Sequence, residues 1–166
     1  MVMPYTGNTD PSDGPRPGAT KFVEIMVNRG FRNLGIWANR PMRGSNPPRL
    51  SVHATGRAVD LGYDPKKAAL VGAYCLWLEA NHEALGIEEI HDYSGTSKAG
   101  TEKWGRGFRC NRSGKPGWKD WTETDNGGTP GGKWIHVELS PAMADNPKDF
   151  VKAWKEISGT APAALA

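Results

Sequence analysis

The chain has 166 residues, 37% of them hydrophobic, which is enough for one domain whose core needs no disulfide support. A formal net charge of +3 is a mild basic bias. That bias suits an anionic polymer such as a cell wall but does not by itself indicate one. Because the sequence shows no basic helix and no recognised nucleic-acid-binding module, it argues against a nucleic-acid partner.

No apolar run in the sequence approaches the length of a membrane-spanning helix, so membrane insertion is not expected. The first residues lack the basic flank and apolar run of a secretory signal. We therefore expect a soluble, monomeric protein that is made in the cytoplasm without a signal peptide. The two cysteines form no Cys-x-x-Cys motif; Cys75 lies in an apolar helical pattern and Cys110 in a loop rich in Gly and Arg.

Composition divides the chain into three parts. Residues 1–19 are rich in Pro, Gly and Asp and are predicted to form an extended N-terminal arm. Residues 20–157 carry the apolar periodicity and are predicted to form a single domain. Residues 158–166 are rich in Gly, Pro and Ala and are predicted to be a flexible tail or linker.

The first half of the domain is predicted to contain a helix, two strands and a proline-rich loop. Thr20 is a candidate helix cap, and Gly30 ends the apolar stripe that follows it. A short strand is expected at 34–38, and the loop 39–49 leads to a second strand at 58–63.

The second half of the domain is predicted to contain two helices, two strands and a long loop. One helix opens at Asp64-Pro65, with proline at its first helical position, and ends at Gly86. The segment 95–132 is rich in glycine and aromatic residues and is predicted to be a long loop. The other predicted elements are a strand at 87–93, a strand at 134–139 and a helix that opens at Asn146-Pro147.

Two separated segments carry residues that indicate metal chemistry. A catalytic zinc uses imidazole and carboxylate donors, three from the protein, and leaves the fourth position to water. Gly56 permits the tight turn that lets His53 and Asp60 converge, and strand alternation places Asp60 and His136 opposite their apolar neighbours. The two segments read Ser51-Val-His53-Ala-Thr-Gly56-Arg57-Ala58-Val-Asp60 and Trp134-Ile-His136-Val-Glu138.

The pattern Ser-x-His-x-x-Gly-x-Ala-x-Asp, followed later by a His on a strand, resembles the zinc D-alanyl-D-alanine peptidases. That family includes bacterial carboxypeptidases and the L-alanyl-D-glutamate endopeptidases of phage endolysins. The resemblance covers roughly residues 39–139 and implies that His53, Asp60 and His136 bind one Zn²⁺ ion. It also implies an α+β fold of the hedgehog/DD-peptidase type. In that fold a small antiparallel sheet carries the zinc site and helices pack on the opposite face.

A zinc peptidase also needs a base that takes a proton from the attacking water. In the resembled family this base is an acid three residues before the second His, or a His two residues before it. Lys133 and Trp134 occupy those positions here, and neither is a simple proton acceptor. Glu138 is one candidate base, although it could equally orient the second His. Asp125 is another, because the Asn-Gly-Gly that follows it gives a flexible approach to the strand.

Arginines near the motif are candidates for substrate contact. Arg40 and Arg43 precede the motif and could bind a carboxylate of the substrate, with a solvated charge favoured for Arg43. Arg57 lies inside the motif and is a candidate for substrate binding or for orienting a zinc ligand; the simpler alternative is a solvated side chain. His91-Asp92, at the end of a predicted strand, is a polar pair near the expected cleft that is interpreted as structural.

The resemblance therefore implies a zinc peptidase that cleaves a peptide bond in bacterial peptidoglycan stem peptides, as the peptidase part of a phage endolysin. Such a protein acts on the cell wall after release from the cytoplasm, or as part of a virion. The alternative is a catalytically inactive module that keeps the zinc and binds the wall or builds the virion. Lys133 and Trp134, at the expected positions of the base, keep that alternative open.

Overall fold

An antiparallel sheet of six strands is the centre of the computed structural model, which describes residues 2–42, 45–98, 103–126 and 130–166. The strands follow the order β1-β2-β6-β3-β4-β5 across the sheet, so β6, late in the chain, lies between β2 and β3. Their bounds are β1 Arg32–Gly35, β2 Ala58–Gly62, β3 Ile87–Asp92, β4 Arg106–Arg112, β5 Lys115–Asp120 and β6 Trp134–Leu139.

Six α-helices occur in these described segments, three of them longer than five residues. None of the six has the length and apolar character needed to cross a membrane. Their bounds are α1 Pro17–Asn28, α2 Ala68–Ala80, α3 His82–Leu85, α4 Glu123–Asn126, α5 Pro141–Asp145 and α6 Pro147–Ile157. Short 3₁₀ turns lie at Val52–Thr55, Pro65–Lys67 and Ser158–Thr160.

The core lies between one face of the sheet and the helices. Alternation along β2 and β6 turns one set of side chains toward the helices, and these side chains are fully buried. They pack in one cluster with apolar residues of α1, α2 and α6. The cluster includes Val59, Leu61, Ile135, Val137, Phe22, Val71, Leu78 and Phe150.

The opposite face of the same strands carries the polar side chains. Asp60 on β2 pairs in register with His136 on β6, and His136 pairs on its other side with His91 on β3. Two residues farther along β6, Glu138 pairs with Glu89 on β3. The α+β class and the antiparallel sheet are therefore as predicted. Strands β2 and β6 present the motif residues Asp60 and His136 side by side.

Most predicted elements are confirmed, with shifted ends. Strand β6 has the predicted bounds, and β2, β3 and α6 differ by at most two residues. The first helix begins at Pro17, because proline is well suited to the first helical position. Thr20 is therefore inside the first turn and does not cap the helix; its hydroxyl donates to the Arg16 carbonyl. The first strand, expected at 34–38, lies at Arg32–Gly35.

The segment 95–132, predicted as a long loop, contains the β4–β5 hairpin. Its turn is Ser113-Gly114, and both residues have positive φ, as a two-residue hairpin turn requires. Phe108 pairs with Trp118 across the hairpin. Cys110, expected in a loop, is a buried residue of β4. The prediction failed because glycines and arginines interrupt the apolar alternation, although a Ser-Gly pair is itself a turn signal.

Residues near both ends of the chain contact the domain, among them the segment 158–166 that was predicted to be a flexible tail or linker. Leu165 is 5% exposed, and its backbone N–H donates to the Arg29 carbonyl. The Tyr74 hydroxyl donates to the carbonyl of Pro162. Residues 2–16 of the predicted arm contain no helix or strand and are also held by hydrogen bonds to the domain. Burial of Leu165 offsets the cost of ordering a Gly- and Ala-rich segment.

Candidate metal centre

The side chains of His53, Asp60 and His136 meet on the polar face of the sheet. His53 Nε2 lies 3.2 Å from Asp60 Oδ2, and His136 Nδ1 lies 2.9 Å from Asp60 Oδ1. The three possible ligand atoms all lie within 4.8 Å of one another, close enough to hold one metal ion. Both histidines are 7% exposed, whereas the Asp60 side chain is 26% exposed and opens the site to solvent.

A short 3₁₀ turn, Val52–Thr55, presents His53. The Ser51 hydroxyl caps the turn by accepting from the His53 backbone N–H. Gly56 closes it with φ +69°, a left-handed conformation that glycine adopts without strain. The spacing Ser-x-His-x-x-Gly in the sequence is therefore the spacing of a capped turn that leads directly into β2.

The outer nitrogen of each histidine has its own acceptor. His53 Nδ1 lies 3.0 Å from the Ile36 carbonyl, which can only accept a hydrogen bond, so Nε2 is the ring nitrogen that faces Asp60 and is available to a metal ion. His136 Nε2 donates to Glu138 Oε1 at 3.1 Å, which leaves Nδ1 facing Asp60. Metal-binding histidines are oriented in this way by a carbonyl or carboxylate on the other ring nitrogen. The residues present therefore fit a zinc ion with two nitrogen ligands and one oxygen ligand.

Without a metal ion, the Asp60 carboxylate and the protonated His136 form an ion pair within the triad. Burial opposes ionisation of Asp60, but hydrogen bonds from His136 and His53 outweigh it and hold its pKa well below the usual range. Burial likewise opposes charge on His136, but hydrogen bonds to Asp60 and Glu138 raise its pKa to about 10. Asp60 is thus a carboxylate at neutral pH, as a metal ligand must be.

Glu138, a candidate base, lies on the outer side of His136. Its Oε1 accepts from His136 Nε2, and its Oε2 accepts from the Tyr5 hydroxyl at 3.3 Å. The side chain is buried, at 3% residue exposure. With both oxygens engaged in this way, the geometry favours the alternative role, in which Glu138 orients the second histidine.

Asp125, the other candidate base, is exposed on α4. Its carboxylate accepts from Lys119 Nζ at 3.0 Å and from the Thr122 backbone and hydroxyl. Hydrogen bonds from Lys119 and Thr122 outweigh its slight burial and lower its pKa. Over the segments that the structure describes, none of its hydrogen bonds or ion pairs reaches the triad.

The candidate arginines lie in different environments. Arg57 is fully buried, donates to the carbonyls of Gly7 and Leu139, and forms an ion pair with Glu88 at 3.4 Å. This placement gives Arg57 a structural role in the interior, and it does not support the predicted contact with substrate. Arg40 is exposed, and Arg43 lies outside the described residues.

His91, which the sequence placed in a polar pair near the expected cleft and interpreted as structural, adjoins the triad. Its ring centroid lies 5.1 Å from that of His136, and its side chain is 22% exposed. His91 Nε2 lies 2.7 Å from Glu89 Oε1, and Nδ1 lies 3.3 Å from the Tyr93 hydroxyl. The polar alternation Glu-x-His on a strand was the available signal, but only the β3–β6 register shows that His91 adjoins the triad. Asp92 is structural as interpreted, because it accepts from backbone N–H groups of the following turn.

Glu89 connects His91 to a buried charge network. Arg109 donates to both Glu89 oxygens at 2.8–3.1 Å. Burial raises the pKa of Glu89, but the charges of His91 and Arg109 and the His91 hydrogen bond lower it overall to about 2. The result is a carboxylate that is ionised at neutral pH, behind an imidazole and beside the candidate metal ligands.

Comparison of the chain with models of known protein families, with curated proteins and with solved structures finds no match.

Proposed function

We propose that this protein is a zinc-dependent peptidase that cleaves a peptide bond in bacterial peptidoglycan stem peptides, as the peptidase part of a phage endolysin. The observation that carries the proposal is the His53–Asp60–His136 triad, whose histidines each have their outer nitrogen fixed by a separate acceptor. Two nitrogen ligands and one oxygen ligand, with one side open to solvent, match the ligand set of a catalytic zinc. The peptidoglycan substrate and the hedgehog/DD-peptidase fold type rest on the resemblance of the motif.

When bound, zinc supplies an acidified water and a Lewis acid for the scissile carbonyl. The chain supplies the proton transfer, and we assign this to His91. Its imidazole adjoins the triad, is partly exposed, and has the Glu89 carboxylate hydrogen-bonded to Nε2, a contact that orients the ring. His91 would take the proton from the attacking water and return it to the leaving amine.

Tyr93 lies beside His91 on the open side of the triad. Burial and the nearby charge of Asp60 raise the pKa of its phenol, so the hydroxyl stays protonated and can donate a hydrogen bond. The Tyr93 ring also packs on Trp134, with centroids 4.6 Å apart. These two aromatic residues would form the wall against which the substrate peptide lies.

Arg40 supports binding of an anionic peptide. With Arg49 it lines a surface cavity of about 370 Å³ formed by 39–41 and 48–50, immediately before the turn that carries His53. Stem peptides carry carboxylates, and an arginine fork matches a carboxylate.

The test is mass spectrometry of purified peptidoglycan incubated with the protein alone, with a chelator, and with zinc restored. New stem-peptide termini that disappear with chelator and return with zinc would support the proposal and identify the bond. Absence of cleavage across several wall chemistries, with one zinc bound per chain, would refute the peptidase. It would favour the alternative of an inactive wall-binding or virion module.

Asp60→Asn and Asp64→Asn make a matched pair for this assay. Asp64 is exposed, four residues beyond Asp60, and caps the following 3₁₀ turn by accepting from the Lys66 backbone. We expect Asp60→Asn to lose zinc and cleavage together, and Asp64→Asn to keep both. Equal loss in the two variants would show that the effect is one of folding and not of metal binding.

A further inference from the structure

Tyr5, in the N-terminal arm, is hydrogen-bonded to the outer side of the candidate metal centre. Its hydroxyl donates to Glu138 Oε2 at 3.3 Å, while Oε1 of the same carboxylate accepts from His136 Nε2. The connection therefore runs from the arm through Glu138 to a metal ligand. From the sequence, the arm was predicted only to be extended.

The arm is attached at several points beyond Tyr5. The Thr6 backbone and hydroxyl donate to the buried carboxylate of Glu88 at 2.8–3.0 Å. Farther along, Asn8 donates to the Leu50 carbonyl at 2.8 Å, just before the turn that carries His53. The arm thus passes from the strand of His136 to the turn of His53.

The second half of the arm is bonded to that turn directly. The Ser12 backbone N–H donates to the Ala54 carbonyl at 2.9 Å, and the Arg16 N–H donates to the Gly56 carbonyl at 3.0 Å. A Cβ atom on Gly56 would lie 2.3 Å from the Gly14 carbonyl, so the arm and the turn are in tight contact. Both histidine-bearing elements are therefore contacted by one continuous segment.

The environment of Tyr5 keeps its hydroxyl a donor. The Arg109 guanidinium lies over the ring, 4.0 Å from its centroid. Burial, followed by the charges of Glu138 and Glu89, raises the pKa of the phenol, so it stays neutral and donates to the carboxylate. The ring contact with Arg109 does not depend on the hydroxyl, so Tyr5→Phe keeps that contact and removes the interactions of the hydroxyl with Glu138 and Glu89.

We infer that the arm is an integral part of the metal centre, and that Tyr5 is a positioning residue that fixes Glu138 and, through it, the imidazole of His136. This inference rests on the metal binding in the proposed function but not on peptidase activity. Without the Tyr5 hydroxyl, one oxygen of Glu138 loses its donor and the carboxylate is free to rotate. Groups that orient a metal-bound histidine typically change metal affinity by about 10–100-fold when they are removed.

The test compares Tyr5→Phe with Tyr74→Phe in zinc competition against a chromophoric chelator. Tyr74 is a hydrogen-bonded tyrosine that holds the C-terminal tail, so the same atom is removed away from Glu138. We expect Tyr5→Phe to weaken zinc binding about tenfold, at the lower end of the range for outer ligand partners. Tyr74→Phe should lower the melting temperature of the metal-free protein but leave zinc affinity unchanged.

A second readout is the visible absorption spectrum of the cobalt-substituted protein, which reports ligand geometry and not stability. We expect Tyr5→Phe to change the cobalt bands and Tyr74→Phe to leave them as in the wild type. Wild-type affinity and spectrum in Tyr5→Phe would overturn the inference while leaving the metal site in place. Failure of the wild-type protein to bind either metal would instead overturn the proposed function, and this inference with it.

Discussion

His91 lies on β3 directly across from His136 on β6, and the Glu89 carboxylate lies behind its ring. If His91 transfers the proton, His91→Gln should lower turnover by about 10²–10⁴-fold, the usual contribution of a general base. Zinc stoichiometry should stay at the wild-type value, because the triad itself is unchanged. Steady-state cleavage rates and metal content, measured on the same preparation, check both statements.

His82→Gln is the matched control for that prediction. His82 packs on Phe108 on the core side of the sheet, with ring centroids 5.1 Å apart, and so lies on the face opposite the triad. We expect it to alter stability and leave turnover close to wild type. Turnover in His91→Gln equal to that in His82→Gln would remove His91 from the mechanism.

Glu89 makes the stability of the fold depend on pH. Its pKa in the folded protein, about 2, is lower than the ordinary 4.5, because His91 and Arg109 outweigh the effect of burial. The charge on Glu89 therefore stabilises the fold above pH 4.5, and this contribution is lost as the pH falls toward 2. We expect the unfolding free energy of metal-free protein, measured in urea, to fall across that range.

Glu89→Gln should reduce the slope of that acid loss and also lower stability at neutral pH, because Arg109 loses a charged partner. Glu24→Gln, on an exposed site of α1, should leave the slope as in the wild type. A slope in Glu89→Gln that matches the wild type would assign the acid sensitivity to other carboxylates.

At the scale of elements, the turn Val52–Thr55 depends on its closing glycine. Gly56 has φ +69°, and an added Cβ would lie 2.3 Å from the Gly14 carbonyl, so alanine meets both backbone strain and a clash. We expect Gly56→Ala to cost about 1–3 kcal/mol from strain alone, with a further loss from displacement of the arm. The change in unfolding free energy, measured by urea denaturation, checks this.

Gly114→Ala separates the cost of backbone strain from the cost of the clash with the arm. Gly114 also has positive φ, +91°, but a Cβ there would meet nothing within 4 Å. We therefore expect Gly114→Ala to cost less than Gly56→Ala and to leave zinc affinity unchanged. Equal costs at the two glycines would mean that contact between the arm and the turn contributes little.

The same elements show what could be predicted from the sequence. Strands β2 and β6 were predictable because apolar residues alternate strictly within them, and that alternation also assigned Asp60 and His136 to the polar face. The β4–β5 hairpin was missed because its alternation is broken by glycine and arginine. The sequence placed His91 near the expected cleft but not beside His136, because cross-strand register is a long-range property that no local pattern encodes.

Burial of charged residues was equally hard to predict. Arg57 was a candidate for substrate binding, for orienting a zinc ligand or for a solvated side chain, and arginine is seldom fully buried. The structure surrounds it with backbone carbonyls and the Glu88 carboxylate, partners that lie 31 or more residues away in the sequence. Only the folded chain brings those acceptors together.

For the whole molecule, the candidate metal centre joins segments from most of the chain. The arm, the turn with His53, and strands β2, β3 and β6 all contribute a ligand or a contact to it. A metal ion held there binds the folded state and not the unfolded chain, so zinc should stabilise the entire domain. Stability and metal occupancy are then linked thermodynamically.

We expect free zinc at about 1,000 times its Kd to add about 4 kcal/mol to the unfolding free energy. For a domain of this size, that corresponds to a rise in Tm of roughly 8–16 °C. Calorimetry across a series of buffered free-zinc concentrations measures the rise, and chelator should reverse it. Asp60→Asn should show no dependence on zinc, since the ligand between the two histidines is lost. A zinc-dependent Tm that persists in Asp60→Asn would locate the ion elsewhere on the protein, because the triad could no longer account for the linkage.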